Sequence, residues 1–205
     1  MPTTRIPLFP LNVVLFPGTR LPLHIFEERY KLMIGRCIQQ QAPFGVVLAV
    51  RDGIATIGCT AQVLQVVKTY EDGRMDIITT GQSVYRIQEL HNDRPYLEGD
   101  VEMLDDDLRP GSDAEAKQLR AIFDKCYRLL HNSAPEVEEE ADVPLSYQIA
   151  AELPLELEAR QAVLETRAEA DRRTLLIERL TQALPQLERI HTARSKVSGN
   201  GHALN

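Results

Sequence analysis

The chain has 205 residues, 43% of them hydrophobic, with no tryptophan and a formal net charge of −7. That is enough apolar material for one sizeable domain or two small ones with an aliphatic core, and it excludes the strongly basic proteins that coat nucleic-acid backbones. The charge is uneven: residues 100–142 hold 13 acidic and 5 basic side chains, a balance of −8, so the remainder is close to neutral.

The first stretch, IPLFPLNVVLFPGTRLPLHIFEERY, is apolar but broken by Pro7, Pro10, Pro17 and Pro22. Proline inside a helix removes a donor and clashes with the preceding turn, so neither a membrane span nor a signal-peptide core is written here. The pattern predicts two short extended pieces, Leu11–Phe16 and Leu21–Phe26, joined by a Pro17-Gly18 turn and with prolines at strand margins. His24 reads as a hydrogen-bonded histidine of the core or its rim. In the next segment Tyr30, Met33, Ile34, Cys37 and Ile38 recur at helical spacing, with Glu27 and Glu28 suited to the first turn. The run Phe44–Val50 predicts a buried strand.

Two β-rich segments, Thr60–Tyr70 and Met75–Ile87, flank Glu71-Asp72-Gly73-Arg74. Asp-Gly between such runs predicts a hairpin with both turn residues at positive φ. Gly81 interrupts the second run and marks a bulge or a close backbone approach. Residues 95–104 predict one more strand, with Tyr96, Val101 and Met103 inward. After residue 104 the period changes. Ser112 and Glu115 form a capping box, and a helical stripe runs from Ala116 to about His131. Glu136–Asp142 is too acidic to bury and reads as a loop. Helices follow from Asp142 to Leu153, Leu155 to Thr166 and Ala168 to Leu184, and 191–205 has no periodicity and reads as a disordered tail. The expected class is α+β: a β-rich unit at 1–104 with one helix, then a helical bundle at 112–190.

The residues offer no chemistry. There is no phosphate-binding G-x-x-x-x-G-K-[ST] motif, no G-x-S-x-G elbow and no pair of histidines one helical turn apart. Cys37, Cys59 and Cys126 are odd in number and far apart, which predicts buried free thiols in a reducing cytoplasm rather than a metal site or a disulfide framework. No catalytic residue, metal ligand or cofactor is expected, and the residues read as those of a binding protein.

These segments resemble the N-terminal substrate-recognition domain of Lon proteases. The opening stretch is similar to that family's Pro-Leu…Val-Phe-Pro-Gly…Pro-Leu pattern; the hairpin residues Gly58, Ala61, Val63, Asp72-Gly73, Gly81, Arg86 and Ile87 match its hairpin; PYLEGDVEML matches its next strand; and the helical IAAELPLELEARQAVLETRAEADRRTLLIERL matches its Leu-Pro-Leu…Gln…Leu-Leu-Glu pattern. Val84 departs from it, standing where the family often has arginine. The resemblance spans roughly residues 5–190. It implies a PUA-like β-barrel followed by a helical bundle, and recognition of unfolded or tagged polypeptides without the ATPase and peptidase parts of a complete Lon protease.

Three functions follow as expectations. The first is a polypeptide-binding or substrate-recognition module acting in the cytoplasm, with Leu15, Phe16, Leu21 and Phe26 as candidate contacts and with extended polypeptides or a dedicated protein as partner. The alternative is an RNA-binding PUA-like protein, which would need a basic groove with stacking aromatics. An unrecognised enzyme would need His24, Cys59 and a carboxylate to converge. No membrane partner is expected, and the oligomeric state is not legible.

Overall fold

The computed structural model describes residues 3–109, 111–135 and 143–199. In these residues the strands are β1 (Thr4–Leu11), β2 (Arg20–Ile25), β3 (Phe44–Val50), β4 (Gly53–Thr69), β5 (Met75–His91) and β6 (Glu98–Leu104), with α1 (Glu28–Gln40) between β2 and β3. The helices α2 (Asp113–His131), α3 (Leu145–Glu152), α4 (Leu157–Glu165) and α5 (Glu169–Gly199) follow. The α+β class expected from the sequence is the one the chain adopts. The predicted acidic loop at 136–142 and residues 200–205 lie outside the described residues. Residues 191–199, read as part of an aperiodic tail, continue α5 as helix.

The strands pair in the order β2-β5-β4-β3-β1-β6, and β6 pairs again with β5. The ring β1-β3-β4-β5-β6 therefore closes, which removes the edges that an open sheet exposes. Only β2 stands outside the ring, on the flank of β5. The first strand departs most from the sequence reading. It begins at Thr4, contains Pro7 and Pro10, and ends where the first extended piece was expected to start. Its first half pairs antiparallel with β6 and its second half parallel with β3. Each half thus has a neighbour on one side only, and a proline without an N–H is tolerated there. The strands β1 and β2 do not pair with one another.

The inside of the ring is small. Ile6, Leu8, Tyr85 and Val101 fill it, all buried. The Tyr85 hydroxyl donates to the Val46 carbonyl at 3.2 Å, and burial pushes its pKa well up, so it stays a neutral donor. A Cβ at Gly45 or Gly58 would lie 2.5 Å from that hydroxyl, so the glycines of β3 and β4 make the room the ring occupies. Gly81 serves a different purpose. Its N–H donates to the Thr19 carbonyl and its carbonyl accepts from the Gly18 N–H, both at 2.9 Å, and a Cβ there would overlap the Phe16 carbonyl oxygen. This is the close backbone approach that the sequence indicated.

A second, larger core lies outside the ring and is continuous from α1 and the 14–16 segment to the helices. It includes Phe16, Met33, Ile34, Phe44, Phe123, Tyr147, Leu176 and Leu180. Leu119, Phe123 and Cys126 supply the buried stripe of α2, and Ser112 and Glu115 form the predicted capping box. Val101 and Tyr96 are buried as expected, whereas Met103 is exposed. All three cysteines are free and buried. Burial raises Cys37 and Cys126 to about 11 and Cys59 to about 12, so none is a thiolate at neutral pH.

A buried ionic network fastens the two halves. Arg172 is fully buried; it donates to Glu169 at 3.0 Å, to the Ser146 hydroxyl at 2.8 Å and to the Thr166 and Arg167 carbonyls at 3.0 and 3.1 Å. Its guanidinium lies 4.1 Å over the Tyr147 ring. Asp106, on the segment leaving β6, pairs with Arg167 and sits 3.3 Å from Arg172. Gln161 adds a direct tie from α4 to β4, donating to the Ile57 carbonyl at 3.0 Å. Such a network fixes orientation, because each buried charge is costly unless every partner is in place.

Candidate functional site

The strands β4 and β5 are each 17 residues long and reach beyond the ring as a hairpin. The turn differs from the expected one. Gly73 alone has positive φ, at +79°. The Gly73 N–H donates to the Tyr70 carbonyl at 2.9 Å and the Tyr70 N–H to the Arg74 carbonyl at 2.8 Å. A three-residue loop with glycine in the left-handed position therefore replaces the two-residue turn.

The pairing of β3 with β4 starts from Phe44 opposite Ala61, so among the described residues β4 has no strand partner on that side from Gln62 to Thr69. Its other side continues along β5, with register shifts at Leu64 and at Val67. Leu64 and Val67 are each 55% exposed and Val66 is 40% exposed. An open edge bearing apolar side chains is a template for an added strand, and the two irregularities limit how far such pairing can run.

On the flank of the same hairpin, β2 brings His24 opposite Asp76. The His24 Nδ1 lies 2.6 Å from Asp76, and the Tyr70 hydroxyl donates to the other oxygen of that carboxylate at 2.8 Å. The His24 hydrogen bond, then that of Tyr70, holds the Asp76 carboxyl below its ordinary pKa, while Asp76 raises the Tyr70 hydroxyl. Phe26 stacks on His24 with centroids 6.0 Å apart, and the Tyr70 ring meets His24 edge-on at 5.9 Å. Lys68 and Arg74 cap the Tyr70 ring at 4.4 and 4.9 Å. The result is an exposed aromatic shelf in which the His24 Nδ1, the Tyr70 hydroxyl and both Asp76 oxygens are already partnered. His24 is thus a hydrogen-bonded rim residue. It shares no cluster with Cys59, which is buried elsewhere in the barrel wall.

The four candidate contacts fall into different environments. Leu15 and Phe16 are 4% and 0% exposed, and burial removes both side chains from any surface. Phe16 stacks on Tyr147 with centroids 5.4 Å apart. Leu21 is half-buried and lines a groove of about 340 Å³ between the barrel and the helices. Phe26 is 59% exposed and ends the aromatic shelf. The exposure of Leu64, Val66 and Val67 was not read from the sequence, although the unalternating run Val63-Leu64-Gln65-Val66-Val67 is a signal for it: a half-buried strand alternates strictly.

One further cluster has donor atoms close enough to hold a cation. Glu89, His91 and Asp100 converge, but Arg5 is already there, 3.0 Å from Asp100 and 2.9 Å from His91. Among the described residues no helix is long and apolar enough to cross a membrane.

The geometry has counterparts. The chain aligns with Lon protease of Anaeromyxobacter dehalogenans at 29% identity over 95% of its own length and 25% of that protein. With Lon protease of Paraburkholderia phytofirmans it shares 30% identity over 81% of the chain and 23% of that protein. The chain thus spans about a quarter of the length of such curated relatives. In fold it is similar to a Lon N-terminal domain protein of Xanthomonas campestris (TM-score 0.69, 23% identity, covering 85% of this chain and 98% of that one). It is also similar in fold to the N-terminal domain of a Mycobacterium avium complex Lon protease (TM-score 0.62, 15% identity, 87% and 98% coverage). The sequence profile of the ATP-dependent protease La (LON) substrate-binding domain matches residues 5–182, and the chain belongs to that family.

Proposed function

We propose that this chain is a non-catalytic recognition module that captures extended stretches of polypeptide on the outer half of the β4–β5 hairpin. The observation that carries the reading is the open edge of β4 from Gln62 to Thr69, with Leu64, Val66 and Val67 exposed along it. Backbone groups on that edge supply sequence-independent hydrogen bonds, and the apolar side chains favour segments that a folded protein would have buried. The register shifts at Leu64 and Val67 keep the paired stretch short. Binding is therefore micromolar and quickly reversible, as suits a module that hands its polypeptide on.

Four basic residues of the β half favour this reading over RNA binding. Arg5, Arg29, Lys31 and Arg74 each make an ion pair with a neighbouring carboxylate, which reduces their attraction for phosphate. Fluorescence anisotropy of a labelled, unfolded polypeptide tests the proposal. Saturable micromolar binding is expected, unaffected by an RNA oligomer and weakened at least tenfold by the double variant Leu64→Ser/Val67→Ser. Binding unchanged in that variant, or displaced by RNA, overturns it.

A further inference from the structure

The groove beside Leu21 combines an apolar lining with an arginine that has no anion. Val13 and Leu21 come from the barrel side, Leu155 and Leu157 from the helical side, and Arg20 and Arg160 complete the lining used here. Arg160 is half-buried. Its guanidinium lies 5.2 Å over the Phe16 ring and makes two long hydrogen bonds, to the Val14 carbonyl at 3.3 Å and the Leu153 carbonyl at 3.4 Å. Among the described residues neither Arg160 nor Arg20 is in an ion pair. Burial alone pulls the Arg160 pKa down, with no carboxylate acting against it.

Arg172, a few residues further along the chain, shows what this protein does with a buried guanidinium it uses for structure: two carboxylates and a hydroxyl surround it. Arg160 is partly withdrawn from water with two long carbonyl hydrogen bonds and a ring face but no carboxylate, an arrangement that an anion arriving from outside would improve. A planar guanidinium takes a carboxylate in two parallel hydrogen bonds. The groove next to it is just within the size range of small-ligand sites and suits one or two apolar side chains.

We propose that this groove binds the C-terminal end of a polypeptide, with the α-carboxylate on Arg160 and Arg20 and the last apolar side chains among Leu21, Leu155 and Leu157. A chain end puts a carboxylate and an apolar side chain on the same residue, which is the pairing of features that the groove presents. The inference rests on the polypeptide-binding reading above but uses a different surface, so the two can fail separately.

The experiment uses two labelled peptides of one sequence ending in Leu-Leu, one with a free carboxylate and one amidated, titrated with the whole chain. The free acid is expected to bind at least tenfold tighter than the amide. Arg160→Gln should erase that difference while leaving binding of a long amidated unfolded polypeptide at the β4 edge unchanged. Because Arg160 packs on Phe16, its variant can lose stability, so Arg20→Glu at an exposed position provides a second test and should weaken the free acid selectively. Equal binding of acid and amide, a preference that survives both variants, or equal binding of an amidated peptide with an internal aspartate overturns the proposal. If neither peptide binds but the long polypeptide does, the groove assignment fails and the recognition reading stands. If nothing binds, both fail.

Discussion

The same two strands have opposite fates at their two ends. Within the ring, β4 is paired on both sides, its residues Ile57 to Ala61 are buried, and Tyr85 of β5 fills the space that Gly45 and Gly58 leave. Beyond Ala61, β4 is paired on one side and exposed from Leu64 to Thr69. Cooperative stability resides in the first region, where an error in any residue is felt by all the others. The second region is held mainly by the hairpin ladder, the β2 pairing and the Lys31 contact to the Asp72 carbonyl at 2.8 Å, so its surface is available for exchange with a partner. A module that must be rigid where it attaches and adaptable where it binds is built by running one hairpin through both environments.

The largest expected effect comes from breaking the rigid side at its charged centre. Glu169 is 2% exposed and accepts from Ser146, Arg172 and Arg173. Glu169→Ala removes the carboxylate shared by two buried guanidinium groups and should cost about 3–5 kcal/mol, read as a lower urea midpoint at unchanged m-value. A loss comparable to that of an exposed residue would show that the network is not part of the cooperative unit.

Gly58→Ala comes next. Its Cβ would lie 2.5 Å from both the Tyr85 hydroxyl and the Val46 carbonyl oxygen. The second of these is backbone in the adjoining strand and cannot rotate away, so the expected cost is about 1–3 kcal/mol. Gly73→Ala at the hairpin tip, where the nearest atom is a Lys31 side-chain carbon at 3.8 Å, tests the contrast: the space is open and only the positive φ opposes it. That variant should cost about 1 kcal/mol, and amide exchange should rise in the hairpin without spreading into the ring.

These contrasts were only partly legible in the sequence. The α1 stripe, the Phe44–Val50 strand, the hairpin and the Ser112–Glu115 box depend on neighbours within a few residues, and local patterns report them. The start of β1 at Thr4 does not, because its partners β3 and β6 lie tens of residues away and its prolines suggest a boundary. The differing environments of the four candidate contacts were illegible for the same reason. Apolar side chains at 15 and 16 look like those at 21 and 26, and only the helices that pack over Leu15 and Phe16 distinguish core from surface. The unpaired state of Arg160 is further still from the sequence, since Glu156 and Glu158 stand close to it in the chain and point to a pairing that the fold does not make.

On the open side the stability effects should be small and the binding effects large. Leu64→Ser/Val67→Ser touches exposed side chains only and should change stability by roughly 0.5 kcal/mol per site or less. Its tenfold loss of polypeptide binding would then be a surface effect. If its thermal midpoint fell as far as that of Gly58→Ala, the hairpin would belong to the rigid unit and the division drawn between the two ends would be wrong.

The smallest effect is an acid one, and it follows the aromatic shelf. Asp76 carries a pKa below its ordinary value of 3.8, because His24 and then Tyr70 hydrogen-bond to its ionised form. A carboxylate depressed in the folded state contributes stability above its unfolded pKa and loses it as pH falls through the lower folded value. Between pH 7 and about 4 the Asp76 contribution should therefore be constant, and below that the link between β2 and the hairpin weakens. Because the site is open to solvent, the change should appear as faster local amide exchange along β2 rather than as global unfolding. Asp76→Asn should remove this acid limb and leave the ring's own acid response in place. Identical acid limbs in the two proteins would mean that the shelf is held by ring packing and not by its carboxylate.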